Sequence, residues 1–290
     1  MRRASLASMA VAAVLIAAKA VAYLVTDSVG MLSSLVDSAL DLVSSLITFF
    51  AVRQALVPAD ADHRFGHGKA EALAGIAQAG FITASAGGLL LTVGDRILHP
   101  QPVQEELVGL AVSGLAVVLT LGLMAFQSLV VRRTKSIAIT ADRAHYATDF
   151  ITNIAVGAGL WLSGRFGQPL VDLAVAAGVS VYLVVSAWRI GRHSIDVLMD
   201  RELPAEVRQR IIEIVRRHPG VRNVHDVRTR SAGLTQFVQL HVVLHPTMSL
   251  GRAHVIGDTI EAAIREAFPE MDVILHIDPW NDGEPRTWDE

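Results

Sequence analysis

At 290 residues the chain has room for one large domain or two. With 52% hydrophobic residues and a mean hydropathy of +0.43 it is too apolar for an ordinary soluble protein, yet 18% charged residues exclude a chain that is membrane throughout. A net charge of −3 gives no sign of nucleic-acid binding, and the lack of cysteine excludes disulfides and leaves His, Asp, Glu or backbone to ligate any transition metal.

In chain order, six stretches reach the ~20 apolar residues that span a bilayer as helix: 5–25, 31–56, 73–98, 107–131, 137–162 and 169–190. The first resembles a secretion signal, but Lys19 interrupts it and another span follows after a short turn, so it is read as a span. Basic residues orient the set. Arg2 and Arg3 precede span 1, Arg53, Arg64 and Lys69 separate spans 2 and 3, Arg132, Arg133 and Lys135 separate spans 4 and 5, and Arg189 and Arg192 close span 6. The opposite loops hold only Arg96 and Arg165. Both termini are therefore expected in the cytoplasm, with the spans facing membrane lipid.

From about residue 196 the pattern changes. "LPAEVRQRIIEIVRRHPG" has helical periodicity and stops at Pro-Gly; "VRNVHDVRTRS" and "TQFVQLHVVLH" alternate as strands around a Ser-Ala-Gly-Leu turn. An amphipathic helix, "SLGRAHVIGDTIEAAIREAF", and a last strand, "MDVILHIDP", follow. The order αββαβ predicts a small α+β, ferredoxin-like domain with its helices on one face of an open sheet. The expected layout is a six-helix transmembrane domain over 1–195, a cytoplasmic domain over 196–280 and a disordered tail over 281–290.

Two spans carry acids where their neighbours avoid water. In "MLSSLVDSALDLVSSLITFF", Asp37 and Asp41 are i, i+4 and share a helix face; "ADRAHYATDF" repeats the spacing with His145 and Asp149. A charge at mid-membrane costs ~2.5–3.5 kcal/mol on insertion scales, and three crowded carboxylates fare worse, so they need a dication or protons. Three carboxylates and an imidazole suit a tetrahedral divalent ion such as Zn²⁺. The plainer alternative is protonated packing residues or pairing with Lys19; two matched pairs count against it. Asp142 reads as a cap or interfacial charge near the start of span 5. In the loop "PADADHRFGHGKAEA", Asp60, His63 and His67 have metal-ligand spacing, with a solvated polar loop as the alternative.

Together, six spans, DxxxD, HxxxD, "HRFGHGKAE" and the αββαβ tail resemble the cation diffusion facilitators, in particular their bacterial zinc and iron efflux branch, over nearly the whole chain. The resemblance implies a homodimer in a bacterial-type inner membrane that exchanges divalent metal for protons by alternating access. It implies a transport site at Asp37, Asp41, His145 and Asp149, a loop site at Asp60, His63 and His67, and a cytoplasmic dimer-interface site at His225, His241, His254, His276 and Asp278, where a carboxylate bridges two ions. It also implies that Lys69 and Asp200 form a charge pair that locks protomers. Ala144 departs from the bulkier apolar residue expected before His145. His99, His193, His218 and His245 match no motif and read as interfacial or surface residues.

The leading expectation is a proton-coupled exporter of Zn²⁺, with Cd²⁺ or Fe²⁺ also admitted, whose cytoplasmic domain senses metal. An imidazole titrates near neutrality, which makes His145 the expected proton carrier. The runner-up is an intramembrane Mg²⁺-dependent prenyltransferase, which needs hard oxygen ligands and basic residues for a diphosphate; His in the second pair and the lack of a basic cluster beside the acids disfavour it. A metal sensor that no longer transports is a third reading.

Overall fold

The computed structural model describes residues 1–26, 29–98, 107–166 and 170–281. His99, Pro169 and the tail beyond Asn281 lie outside them. The elements run α1 (Arg2–Thr26), α2 (Val29–Ala55), α3 (Ala70–Leu98), α4 (Leu107–Thr134), α5 (Ile137–Phe166), α6 (Leu170–Leu198), α7 (Ala205–Arg216), β1 (Asn223–Ala232), β2 (Thr235–Leu244), α8 (Leu250–Ala267) and β3 (Met271–Pro279). They form two compact units, one of residues Met1–Pro58 and Ala70–Ile195, the other of Ala59–Lys69 and Asp196–Glu290. The α2–α3 loop thus groups with the C-terminal unit.

In the first unit, α1 packs on α2 and α4, and α3 packs on α2 and α5. Small residues allow close contact: Ala4, Ala74 and Ala138 are buried around Val52 and Ile139, and Ala86 and Ala187 around Ile82 and Leu183. Among the described residues, five of the six helices are long and apolar enough to cross a membrane. The first half of the remaining helix, α5, carries Asp142, Arg143, His145 and Asp149. Its start is held by a carboxylate from another helix. Glu71 on α3, 1% exposed, accepts hydrogen bonds from Ser136 Oγ (2.8 Å) and the Ile137 and Ala138 amides (2.8 and 3.4 Å). An anion belongs there, because the first amides of a helix have no partner within it.

Helix α6 continues past residue 190, where the apolar pattern weakens, to Leu198. A left-handed residue ends it: Asp200 has φ +56°, its amide bonds to Val197 O (3.3 Å), and the Arg201 amide reaches back to Asp196 O (2.9 Å). This is the Schellman arrangement, with Asp where Gly is usual.

In the C-terminal unit, β1 and β2 are antiparallel, and β3 adds to β2 in parallel, in the order β1-β2-β3. The β1–β2 turn is only Gly233-Leu234, with Gly233 at φ +67°, as a two-residue hairpin of the II′ kind requires. Val238, Leu240, Val242 and Leu244 of β2 and Met271 and Val273 of β3 are buried with Ile211 and Val215 of α7 and Ile256, Ile260 and Ile264 of α8. Strand residues of the opposite parity lie on the other face. The register of β1 slips between His225 and Arg228, so Asp226 and Val227 together oppose Leu240. That bulge lets Val224 and Val227, three apart, both enter the core. The α2–α3 loop packs on the hairpin at two glycines. A Cβ on Gly68 would lie 2.0 Å from Ala232 O, and one on Gly233 2.9 Å from Gly68 Cα.

Candidate metal centre

Asp41 on α2 meets His145 and Asp149 on α5. His145 Nε2 is 3.4 Å from Asp41 Oδ1 and 3.7 Å from Asp149 Oδ2, and the imidazole is 3% exposed. Among the described residues, neither ring nitrogen of His145 has a hydrogen-bond partner, nor has Asp149 Oδ2. Buried polar atoms are seldom left so. Ligands about 2.1 Å from a tetrahedral ion lie about 3.4 Å from one another, close to the gaps seen here. The donor set therefore fits a small divalent cation. Asp37 is one turn earlier on α2, exposed and outside the trio. Lys19 donates to Ser34 O (3.1 Å) and Ser38 Oγ (2.6 Å) of α2.

In the sequence, Asp142 reads as a cap or an interfacial charge. The structure corrects this: Asp142 is 0% exposed and accepts from Ser8 Oγ (2.8 Å) of α1, Thr48 Oγ1 (3.3 Å) of α2 and Gln127 Nε2 (2.6 Å) of α4. Ser45 joins Ser8 to the Tyr146 hydroxyl at 2.9 Å each, and Gln78 of α3 donates to Thr48 (2.9 Å). The few polar residues that α1, α2, α3 and α4 carry within apolar spans were the only signal for it.

In the α2–α3 loop, His63 Nδ1 and His67 Nε2 lie 3.5 and 3.4 Å from the two oxygens of Asp60. The His63 and Asp62 amides donate to Asp60 Oδ1 (2.7 and 3.0 Å), an Asx-type turn that tightens the loop. The His63 amide above all holds the Asp60 carboxyl below the usual carboxylate range. His67 Nδ1 is buried without a partner among the described residues. Two residues on, Lys69 Nζ pairs with Asp200 Oδ1 of the same chain at 2.9 Å, and Arg230 also reaches Asp200 (3.4 Å).

On the sheet, the register aligns His225, His241 and His276 in one row across the three strands. Their rings are 5.0 and 4.6 Å apart, centre to centre. Asp278, two residues past His276 on the same face, offers Oδ2 to His225 Nε2 (3.3 Å) and His241 Nδ1 (2.9 Å), and Oδ1 to His276 Nε2 (3.3 Å). His254 stands apart on α8, exposed, beside Asp258 (3.6 Å). One carboxylate came unannounced: Asp226 Oδ2, in the bulge, faces His241 Nε2 at 3.7 Å. The broken alternation of "VHDVRTR" was the available sign.

Apolar helices around a donor trio centred on a buried imidazole, with a small α/β domain carrying further donors, define a multi-pass membrane protein that handles metal cations. Residues 5–199 match the cation efflux transmembrane domain, and residues 203–280 the cytoplasmic domain of cation efflux proteins. The cation-efflux pump FieF of Klebsiella pneumoniae subsp. pneumoniae is 45% identical over 277 residues, covering 96% of this chain and 92% of that one. FieF of Escherichia coli is 43% identical with the same coverage. Among solved structures, the putative zinc transporter CzrB in its Zn form is 31% identical, covers 29% of this chain and 98% of that one, and has a TM-score of 0.27. The chain belongs to the cation efflux family, the cation diffusion facilitators, and is a cation efflux transporter rather than an enzyme. The prenyltransferase reading is thereby set aside.

Proposed function

We propose that this transporter exports divalent transition-metal cations, Zn²⁺ foremost with Cd²⁺ or Fe²⁺ also accepted, from the cytoplasm in exchange for protons. The observation that carries this is the trio of Asp41, His145 and Asp149, whose donors, gathered around the buried His145, are spaced as a tetrahedral cation needs. Asp37, one turn away on the same face of α2, is the fourth ligand on this reading. One imidazole among carboxylates selects borderline ions over Mg²⁺ and Ca²⁺. The cation is the cargo, and its site opens alternately to each side. Protons take its place on the carboxylates and His145 on the return, since a protonated donor cannot ligate.

The cytoplasmic row fits resident metal: Asp278 turns one oxygen to His225 and His241 and the other to His276, as a carboxylate shared by two ions does. When bound, metal there cross-links three strands; with His254 contributed from α8, it favours the homodimer geometry that transports. The Asp60, His63 and His67 trio takes a further ion in the loop. Both termini face the cytoplasm of a bacterial inner membrane, as the basic loops indicate.

The test is flux in proteoliposomes. Wild type loads Zn²⁺ into vesicles with an acidic lumen, and the lumen alkalises in step as protons leave. Asp41→Ala and Asp149→Ala stay folded and dimeric but carry none. Full flux in either variant, or Zn²⁺ uptake with no proton movement, overturns the reading; binding without flux in wild type would instead favour a sensor.

A further inference from the structure

Asp226 occupies a place that glycine fills most easily and that Asp tolerates. Its φ of +48° lies in the left-handed region, at the first position of the β1 bulge. Such bulges favour Gly, which enters that region without steric penalty. A bulge that served only to bring Val224 and Val227 into the core needs no side chain there. Asp226 has one, and both its oxygens are engaged: Oδ1 with Arg228 Nε at 2.8 Å, Oδ2 facing His241 Nε2 at 3.7 Å. The other nitrogen of that ring, Nδ1, faces Asp278 Oδ2 at 2.9 Å.

We infer that Asp226 is a positioning residue for the cytoplasmic metal centre, acting through His241. This rests on the reading of the histidine row as a metal site. When Nδ1 of His241 ligates a cation shared with Asp278, Nε2 must carry the ring proton, and Asp226 Oδ2 is the acceptor in place to receive it. Oδ2 stands 3.7 Å from Nε2, and a rotation of the carboxylate with the flexible Arg228 side chain following Oδ1 closes that gap. A carboxylate behind a ligating imidazole fixes its tautomer and orientation and raises its basicity. Residues remote from each other are thus set by one backbone irregularity: the extra residue in β1 swings Asp226 to the face where His241 lies.

The test uses full-length protein in detergent carrying Asp41→Asn and His67→Ala, which disable the other two trios, and titrates Zn²⁺ by competition with a fluorescent chelator. Asp226→Gly keeps the bulge and deletes the carboxylate. It is expected to weaken Zn²⁺ binding about 10- to 100-fold, the usual effect of removing such a partner, while the metal-free melting temperature holds or rises. Asp226→Asn keeps a neutral acceptor and falls between. Unchanged Zn²⁺ affinity in Asp226→Gly overturns the inference, as does an affinity loss matched by a lower metal-free melting temperature, which marks a structural role. No Zn²⁺ binding by the protein that retains Asp226 removes the metal-site reading itself, and the inference with it.

Discussion

Asp142 shows how much a single buried carboxylate can organise. It gathers donors from α1, α2 and α4 one turn before His145. Asp142→Ala strands the Ser8, Thr48 and Gln127 donors, and each buried group left unsatisfied costs about 1–3 kcal/mol. Asp142→Asn can still accept from Ser8 and Gln127 through its oxygen and donate to Thr48. Thermal unfolding is therefore expected to fall clearly in the alanine variant and little in the asparagine variant, with Zn²⁺ affinity following the same order. Equal loss in both would mean that the negative charge, not the hydrogen bonds, matters. At this scale the sequence revealed the pairs and hid the hub. Asp37 with Asp41 and His145 with Asp149 stand out because i, i+4 spacing is itself geometry. A lone Asp142 near a helix start has no such pattern, and its partners come from helices up to 134 residues away in the chain.

Among elements, the C-terminal unit was the more legible. Alternation in "TQFVQLHVVLH" marks the central strand because one of its faces packs on helices and the other does not. In β1 the alternation breaks at Asp226, and no local rule says whether such a break ends a strand or bulges it. Contact between the loop and the hairpin left no pattern at all, since glycine is common in turns for other reasons. There the backbones approach so closely that Gly68→Ala sets a Cβ 2.0 Å from the Ala232 carbonyl. Backbone cannot yield as a flexible side chain does, so overpacking of about 1–3 kcal/mol is expected. Phe65, which packs edge-on to Phe237 (5.6 Å between centroids) while Arg230 lies over both rings, should loosen with it. The check is a thermal melt together with Zn²⁺ binding by the Asp60, His63 and His67 trio; an unchanged melt shows that the contact is dispensable.

For the whole molecule, stability should depend on pH through the charge pair beside that loop. Burial works against ionisation of Asp200, but the Lys69 ammonium at 2.9 Å and the Arg230 guanidinium more than offset it and hold the carboxyl below its ordinary value. A depressed carboxyl stabilises the fold above its unfolded value, about pH 4, and that contribution is lost as pH falls through the lower folded value. The pair is partly exposed, so solvent and salt leave it only about 0–1 kcal/mol. Lys69→Ala should therefore melt slightly below wild type at pH 7, and the gap should narrow as acid titrates Asp200 below its ordinary range. A gap that stays constant throughout the acid titration assigns the loss to packing of the lysine stem instead.

Helix α5 is fastened near one end. Glu71 holds its first amides, Asp142 ties the next turn to three helices, and Arg143 reaches Ser128 of α4 at 3.0 Å. A rod clamped in this way swings about the clamp, and the swing grows with distance from it. The ties reach Tyr146, whose hydroxyl meets Ser45 at 2.9 Å; at ~1.5 Å per residue Asp149 sits ~4.5 Å beyond it, so a tilt of about 15° carries Asp149 ~1 Å while His145, inside the clamp, stays in place. The donor cage can thus be taken apart from its far side by a lever that never leaves its fulcrum.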